Sequence, residues 1–306
     1  MKMIYQLDQN NFDKVRPLFA ELEEYNFSIS GVLNGNYPGR IYVDDVDKPQ
    51  TAFLYSSFWY FLTGNVNNDK FNQAIKVLIE SEDFANDYVR GDKGMMFMAY
   101  HPAEWNNQVP SLFGGHPPFE VPRRRHLFEQ ISFDWRERIP EGFTVRRIDK
   151  NLLENDQLAN IEGVRHWVNT YWGAAVDVFH QRGVGVCLMR DNQIASWCIM
   201  VNVAGKCCEL GVETAYDFRQ QGLGTIAVAA TVELCLDEGF TSIDWHCNID
   251  HLGSLGVAEG AGFVKERDYI SFRHFFDLER HVAFAVENRY GKNKTKDNLT
   301  NHDCKT

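Results

Sequence analysis

The sequence from Cys208 to Phe263, CELGVETAYDFRQQGLGTIAVAATVELCLDEGFTSIDWHCNIDHLGSLGVAEGAGF, contains the pattern that decides the fold. Apolar and polar side chains alternate over residues 208–214, which predicts a strand with one buried face. A glycine-rich turn, RQQGLG, follows at residues 219–224, and an apolar stripe then predicts a helix from Thr225 to Asp237. A second strand, Thr241 to Asn248, and a second helix complete the run. The stretch therefore predicts an α/β unit with a glycine turn between its first strand and its first helix.

The glycine turn has the chemistry of a phosphate cradle. The first N–H groups of a helix have no intrahelical acceptor, and the helix dipole favours negative charge beside them. Glycines let the backbone approach a pyrophosphate without a side-chain clash. An ordinary strand-to-helix turn has the same pattern, so Arg219-x-x-Gly222-x-Gly224 alone leaves both interpretations open.

The dinucleotide-binding fingerprint also fits Gly222-x-Gly224-x-x-Ala227, but its context does not. A Rossmann strand runs directly into its glycines, whereas residues 215–221 separate the strand from the glycines here. A nicotinamide or flavin dinucleotide is therefore not the expected ligand.

Three ordered motifs carry a family resemblance. Arg219-x-x-Gly222-x-Gly224 resembles the Q/R-x-x-G-x-G/A motif of the GNAT N-acetyltransferases, which holds the pyrophosphate of acetyl-CoA. The later Trp245–Asn248, Ser254 and Ala258–Phe263 resemble the next strand and helix of that superfamily. The set is most similar to the zwittermicin-resistance-type branch, whose members pair a GNAT-like N-terminal half with a complete GNAT domain.

The resemblance implies an α/β protein of the α+β mixed-sheet type, the GNAT acyl-CoA N-acyltransferase fold, with two GNAT-like units in tandem. Its sheet is expected to splay open between the strands at 208–214 and 241–248. A hairpin around Asp47-Lys-Pro49 echoes one around Asp191-Asn192, as a diverged duplication would. The expected domains are a degenerate GNAT-like N-terminal domain (1–139), a GNAT acetyltransferase domain (140–290) and a disordered polar tail (291–306).

The resemblance also implies a binding site for acetyl-CoA as co-substrate, with no metal ion. The pantetheine arm is expected to enter the split and pair with the backbone of residues 212–214, while the N–H groups of residues 220–225 hold the pyrophosphate. Arg219 would stabilise the loop or reach a phosphate, and Asn248 and Ser254 would face the pantetheine. The residues expected to bind the co-substrate are Val212, Glu213, Thr214, Arg219, Gln220, Gln221, Gly222, Leu223, Gly224, Thr225, Asn248 and Ser254.

Acyl transfer to an amine requires a base for the amine and a proton for the leaving thiolate. GNAT enzymes often place a tyrosine four residues before the glycine of the closing Gly-Phe, and here that position is Ala258. Tyr269 is the substitute proton donor that the sequence offers. Glu213, on the polar face of its strand beside the expected acetyl group, is the first candidate base, and His246 is the second.

Two other features have alternative interpretations. Trp167, Tyr171 and Trp172 fall where GNAT enzymes build the acceptor pocket, but the i, i+4 spacing of Trp167 and Tyr171 favours a core stripe over a pocket wall. The basic run at residues 123–126 is expected to be a solvated face rather than a phosphate site.

Composition limits the partners and the location. The 306-residue chain has 31 Lys and Arg against 42 Asp and Glu, which gives a net charge of −11. Such an acidic protein repels phosphate backbones and anionic membranes, so the expected partners include neither nucleic acid nor a membrane. Residues 1–14 lack an apolar signal region and the seven cysteines form no CxxC pair, so we expect a cytoplasmic protein with reduced thiols.

The sequence therefore predicts an acetyl-CoA-dependent N-acetyltransferase. The acetyl group would pass to a primary amine of a small cationic molecule, by direct attack in a ternary complex. A homodimer is compatible with this prediction. The alternative is a catalytically weak CoA-binding pseudoenzyme or interaction module, which Ala258 and the degenerate first half favour.

Overall fold

The computed structural model describes residues 4–57, 59–90 and 94–286, and the expected tail at 291–306 lies outside them. The strands are β1 (Tyr5–Gln6), β2 (Arg40–Val43), β3 (Thr51–Ser56), β4 (Trp59–Gly64), β5 (Met95–His101), β6 (Phe119–Phe128), β7 (Phe143–Arg147), β8 (Gly185–Arg190), β9 (Gln193–Ala204), β10 (Cys207–Thr214), β11 (Ser242–Asn248) and β12 (Phe263–Phe275). The helices are α1 (Arg16–Glu23), α2 (Phe27–Leu33), α3 (Asp69–Ile79), α4 (Glu82–Asn86), α5 (Lys150–Leu153), α6 (Ile161–Trp172), α7 (Val176–Arg182), α8 (Leu223–Asp237) and α9 (Leu252–Gly260). Residues 278–286 form a C-terminal helical segment.

The twelve strands form one mixed sheet in the order β1-β2-β3-β4-β5-β12-β6-β11-β10-β9-β8-β7. The same arrangement occurs twice in this sheet. An antiparallel run, β2-β3-β4, is followed by β5 parallel to β4, and a second antiparallel run, β8-β9-β10, is followed by β11 parallel to β10. The predicted mixed α/β architecture is confirmed, and the two halves of the chain have similar topology.

β6, the final strand of the first half, lies between the last two strands of the second half. It pairs antiparallel with β11, where Arg123 is opposite Asn248, and with β12, where Arg123 is opposite Tyr269. β12 in turn pairs with β5 of the first half over Phe272–Phe275. The final strand of each half therefore lies within the other half's part of the sheet.

The predicted solvated face at residues 123–126 is wrong. Arg123, Arg125 and His126 are buried, because β6 is a central strand with hydrogen-bonded neighbours on both sides. Arg124, whose side chain alternates to the opposite face, forms an ion pair with Asp268 at 2.7 Å.

α6 and α8 cover opposite faces of the sheet. Adjacent residues of a strand point to opposite faces. A Cβ added at Gly211 of β10 would lie 2.8 Å from the Trp167 ring of α6. The next residue, Val212, instead faces α8, because a Cβ added at Gly224 of α8 would lie 3.8 Å from Val212 Cγ2. The carboxyl half of β10 is thus reached from one face by α6 and from the other by the start of α8.

The core is continuous between the halves. One hydrophobic cluster contains Phe19 and Ile41 from the first half together with Trp197 and Val228 from the second. A smaller cluster in the first half includes Phe272 of β12. None of the helices in the described ranges is long and apolar enough to cross a membrane. The halves therefore share a core as well as a sheet.

Candidate active site

β10 and β11 separate part-way along their length and leave a cavity of about 760 Å³ between them. They are paired only where residues 207–209 lie opposite residues 242–244. A bulge in the pairing with β9, between Glu209 and Leu210, marks the point where the two strands part. The equivalent strands of the first half, β4 and β5, stay paired from Trp59 to Thr63. The predicted splay is thus present between β10 and β11.

The loop between β10 and α8 ends at a helix N-terminus with free N–H groups. Gln220 and Gly222 have φ values of 61° and 75°, which turn the chain sharply before α8 begins at Leu223. Within residues 4–57, 59–90 and 94–286, no backbone acceptor takes the N–H groups of residues 220–225, and the first helical bond runs from Ile226 N to Gly222 O. Because the 15-residue α8 directs its positive end here, the loop is a candidate anion site.

The two glycines of the loop meet different constraints. A Cβ at Gly222 would meet nothing within 4 Å, so its backbone angle rather than space selects glycine. A Cβ at Gly224 would lie 3.3 Å from Thr214 Oγ1 and 3.4 Å from Val257 Cγ2. A larger residue at position 224 would therefore crowd the entrance of the cavity.

The residues that the sequence assigned to the co-substrate line this cavity, except Gln221. The Gln221 side chain instead donates a hydrogen bond to Asp217 O at 3.4 Å. Ser254 Oγ accepts a hydrogen bond from Trp245 Nε1 at 3.1 Å, and His251 Nδ1 caps α9 by accepting from the Ser254 N–H.

Arg219 ties the loop to the end of β10. Its Nε donates to Thr214 O at 3.0 Å, and its Nη2 lies 3.0 Å from Glu213 Oε1. The Glu213 side chain is 36% exposed, at the mouth of the cavity. Of the two roles expected for Arg219, this geometry supports loop stabilisation. The Arg219 guanidinium also binds one carboxylate oxygen of Glu213, the first candidate base.

A part-buried polar chain crosses β6, β11 and β12 beside the cavity, where Arg123, His246 and Asn248 line the cavity and Tyr269 does not. His246 Nδ1 lies 2.9 Å from Tyr269 Oη, so these two atoms are hydrogen-bonded. Tyr269 Oη also accepts from Arg123 Nε at 3.1 Å, and Arg123 Nη1 donates to Asn248 Oδ1 at 3.2 Å. Burial raises the pKa of Tyr269, and Arg123 offsets part of that rise. Tyr269 is therefore held protonated at neutral pH.

The other side of His246 faces Asp244. His246 Nε2 lies 3.7 Å from Asp244 Oδ2, which is paired with Arg125 Nε at 2.5 Å. The structure thus brings together His246 and Tyr269, the second candidate base and the substitute proton donor. Ala258, at the usual tyrosine position, is completely buried.

Glu209 is a candidate that the sequence reasoning missed. It is 9% exposed, lines the cavity next to the bulge, and accepts a hydrogen bond from Asn202 Nδ2 at 2.7 Å. Its charge is close enough to contribute to the raised pKa of Tyr269. The signal was present in the alternation of β10, which places Glu209 on the same polar face as Glu213.

Aromatic side chains from both halves complete the cavity. Trp167 and Tyr171 line it, as the acceptor-pocket interpretation predicts, whereas Trp172 is buried and donates to Met200 O at 2.8 Å. Trp59 and Phe97 of the first half line the same cavity. No local sequence pattern predicts this second contribution, because it depends on how β5, β12 and β6 are ordered in the sheet.

Comparisons with known proteins agree with this architecture. The family model described as GNAT acetyltransferase matches residues 16–272. A curated relative from Bacillus subtilis (strain 168), the uncharacterized N-acetyltransferase YdfB, is 21% identical over 270 residues, which are 88% of this chain and 98% of the relative. A solved GCN5-related N-acetyltransferase-like protein from Streptococcus suis 89/1591 is 23% identical, with a TM-score of 0.64 over 87% of this chain and 98% of that one. A tandem GNAT protein from the clavulanic acid biosynthesis pathway is 10% identical, with a TM-score of 0.53 over 89% and 98%.

Proposed function

The chain belongs to the GNAT acetyltransferase family, and from this premise we propose that it transfers the acetyl group of acetyl-CoA to a primary amine, by direct attack while both substrates are bound. The observation that supports this most is the cavity between β10 and β11. It joins a helix N-terminus with free N–H groups to a part-buried set of hydrogen-bonded polar side chains. The co-substrate supplies an activated acetyl thioester when bound.

The residues of the cavity fit this co-substrate. The free N–H groups of residues 220–225 would hold the pyrophosphate. Beyond Glu209, β10 has lost its pairing with β11, so its edge at residues 212–214 is open to the amides of a pantetheine arm. Asn248 and Ser254 line the same cavity. The proposal requires no metal ion.

We assign removal of the amine proton to Glu209. Its carboxylate is buried at the point where the strands part, with Asn202 as its hydrogen-bond donor. Glu213, the first candidate from the sequence, is ion-paired with Arg219 and is proposed to hold the loop instead. A negative carboxylate also attracts the ammonium form of the amine.

Tyr269 is proposed to supply a proton to the leaving thiolate by way of His246, which lines the cavity, in place of the tyrosine that Ala258 replaces. Because burial keeps its hydroxyl protonated, it has a proton to donate at neutral pH. His246, 2.9 Å away and lining the cavity, would pass the proton on. A thiol pKa near 8.5 makes the thiolate a tolerable leaving group at neutral pH, so partial proton transfer is enough to stabilise it.

A catalytically weak CoA-binding protein is the second candidate function, and the buried Ala258 is the observation that favours it. Release of free CoA thiol in the presence of an amine panel separates the two functions. Binding of acetyl-CoA without amine-dependent release would favour the second candidate, and amine-dependent release would exclude it.

Gly222→Asp tests whether the loop binds acetyl-CoA. A carboxylate would lie beside the free N–H groups and repel the pyrophosphate, so we expect affinity to fall by roughly 100-fold or more. Gly205→Asp is the matched control, since Gly205 also has positive φ (60°) and open space but lies in the β9–β10 turn. Isothermal titration measures both variants. Equal affinities in the two variants would remove the loop from the binding site.

A further inference from the structure

Two arginines in the cavity wall contact the same aromatic ring of the first half. The guanidinium carbons of Arg123 and Arg273 lie 4.8 and 4.3 Å from the centroid of one ring, Phe97. Trp59 contacts Arg123 at 5.1 Å, and Phe284 of the C-terminal helical segment contacts Arg273 at 4.9 Å. Aromatic faces thus hold two cations at one end of the cavity.

No carboxylate in the described ranges pairs with either guanidinium. Arg123 donates to two neutral groups, Tyr269 Oη and Asn248 Oδ1. Arg273 has no hydrogen-bond or ion-pair partner among these residues, and its Nε is buried. Burial, followed by the neighbouring charge of Arg123, lowers the pKa of Arg273 to about 10, although Asp250 opposes the shift. Two unpaired cations that repel each other are costly unless an anion joins them.

We propose that Arg123 and Arg273 form a subsite for a carboxylate of the acceptor, so that the acceptor is a small amino-carboxylate rather than a purely cationic amine. This inference rests on the proposed function and specifies its acceptor. A carboxylate matches the planar guanidinium fork and would neutralise the two charges. Its amine would then face the carboxylates of Glu209 and Glu213, and Trp167 and Tyr171 would contact the carbon skeleton between them.

The wild-type protein tests the proposal directly. The panel consists of ω-amino acids with one to five methylene groups, together with phenylalanine, each paired with its methyl ester. We expect at least one acid to exceed its ester in kcat/KM by about 10- to 100-fold, mainly through KM, as loss of a charged hydrogen-bonded pair predicts. Esterification lowers the amine pKa, so more of the ester is present as the reactive free amine. This effect acts against the expected preference for the acid. Esters that equal or exceed their acids throughout would overturn the proposal.

Arg273→Gln tests the residue, with Arg138→Gln as the matched control. Arg138 is exposed and also stacks on a phenylalanine, Phe133 at 3.8 Å, but lies outside the cavity. We expect the acid-to-ester ratio to collapse in Arg273→Gln, to recover partly in Arg273→Lys and to persist in the control, with acetyl-CoA affinity unchanged in all three. A loss of acetyl-CoA affinity in Arg273→Gln would assign these cations to the co-substrate instead.

Binding without turnover separates this inference from the proposed function. If acetyl-CoA binds and no amine is acetylated, the proposed function fails, and 3-phenylpropanoate titrated by calorimetry still probes the subsite. Weaker binding to Arg273→Gln than to Arg138→Gln would support the carboxylate site. Equal binding, or none to the wild type, would leave Arg273 an aromatic-packed side chain and overturn the proposal.

Discussion

Glu209 and Glu213 lie on one strand, but their surroundings differ. Glu209 is buried and bonded to Asn202, whereas Glu213 is partly exposed and paired with Arg219. We expect Glu209→Gln to lower turnover by about 10²–10⁴-fold, the usual effect of losing a general base. Glutamine retains an oxygen for Asn202, so folding and acetyl-CoA affinity should change little. Steady-state kinetics measure turnover, and calorimetry measures acetyl-CoA affinity.

Glu213→Gln is the control for this prediction, with turnover expected within a few-fold of the wild type. His246→Ala, measured from pH 6 to 9, completes the comparison because His246 is the second candidate base. A fully active Glu209→Gln protein would contradict the assignment. The residue whose loss removes activity near neutral pH would then take the role of base.

Alternation along β10 was enough to place Glu209, Gly211 and Glu213 on one polar face. It was not enough to choose between the two glutamates, because the choice depends on where β10 leaves β11. That point coincides with a bulge after Glu209, which no residue pattern in the strand announces. Arg219, in contrast, follows directly from its motif, and its contacts with β10 agree with the loop role.

At the scale of elements, β6 is fixed in the sheet by a buried ion pair with β11. Arg125 and Asp244 are 8% and 1% exposed, and Glu266 is 3.5 Å from the same guanidinium. Arg125→Met leaves Asp244 buried without its cation, so we expect the free energy of unfolding to fall by about 3–5 kcal/mol. Arg124→Met, one residue away, removes a more exposed pair with Asp268 and should cost at most about 1 kcal/mol.

Urea unfolding of both variants measures the difference. Similar costs in the two variants would show that the Arg125–Asp244 pair contributes no more than a surface pair.

The position of β6 in the sheet explains why Arg123, Arg125 and His126 are buried although the sequence of residues 123–126 predicts a solvated face. Arg-Arg-Arg-His at residues 123–126 is as polar as an exposed edge strand. Burial of Arg123 and Arg125 depends on partners from β11 and β12, which lie more than a hundred residues away in sequence. Local patterns predict strands and their faces, whereas the choice of neighbour is a tertiary property.

Two buried histidines, His274 of β12 and His281 of the C-terminal helical segment, predict that the protein is less stable in acid. Burial, then the nearby His116 and His281, lowers the pKa of His274 to about 3, and burial, then His116, lowers the pKa of His281. In the unfolded chain these groups bind protons near pH 6.5. Between pH 6.5 and 3 the unfolded state therefore binds more protons, so stability is full above pH 6.5 and falls as the pH decreases.

His274→Leu should flatten this pH dependence. Between pH 7 and 4 we expect the free energy of unfolding of the variant to fall by roughly 1–3 kcal/mol less than that of the wild type. Each histidine whose pKa is lowered contributes up to about 1.4 kcal/mol per pH unit. His180→Leu, at an exposed position of α7, is the control. Thermal unfolding across this pH range measures the slope, and parallel curves for all three proteins would contradict the prediction.

On the scale of the whole molecule, the two halves depend on each other for a strand. We expect residues 140–306 expressed alone to lack stable structure and to bind no acetyl-CoA, because β11 and β12 would lose β6 from between them. Co-expression with residues 1–139 should restore both. Circular dichroism and calorimetry of the purified fragments provide the test. A folded, acetyl-CoA-binding C-terminal fragment would show that the second half is an independent domain.

The exchanged strands also impose an order of events during synthesis. β5 and β6 leave the ribosome long before β12, and at ordinary elongation rates the interval is on the order of ten seconds. During that interval β5 and β6 each have a strand edge that lacks its β12 partner. If β5 and β6 paired with each other, they would occupy the edges with which β12 must pair. A nascent chain with such a gap is a substrate for chaperones that shield open sheet edges. Its yield in the cell should therefore respond to translation speed between β6 and β12.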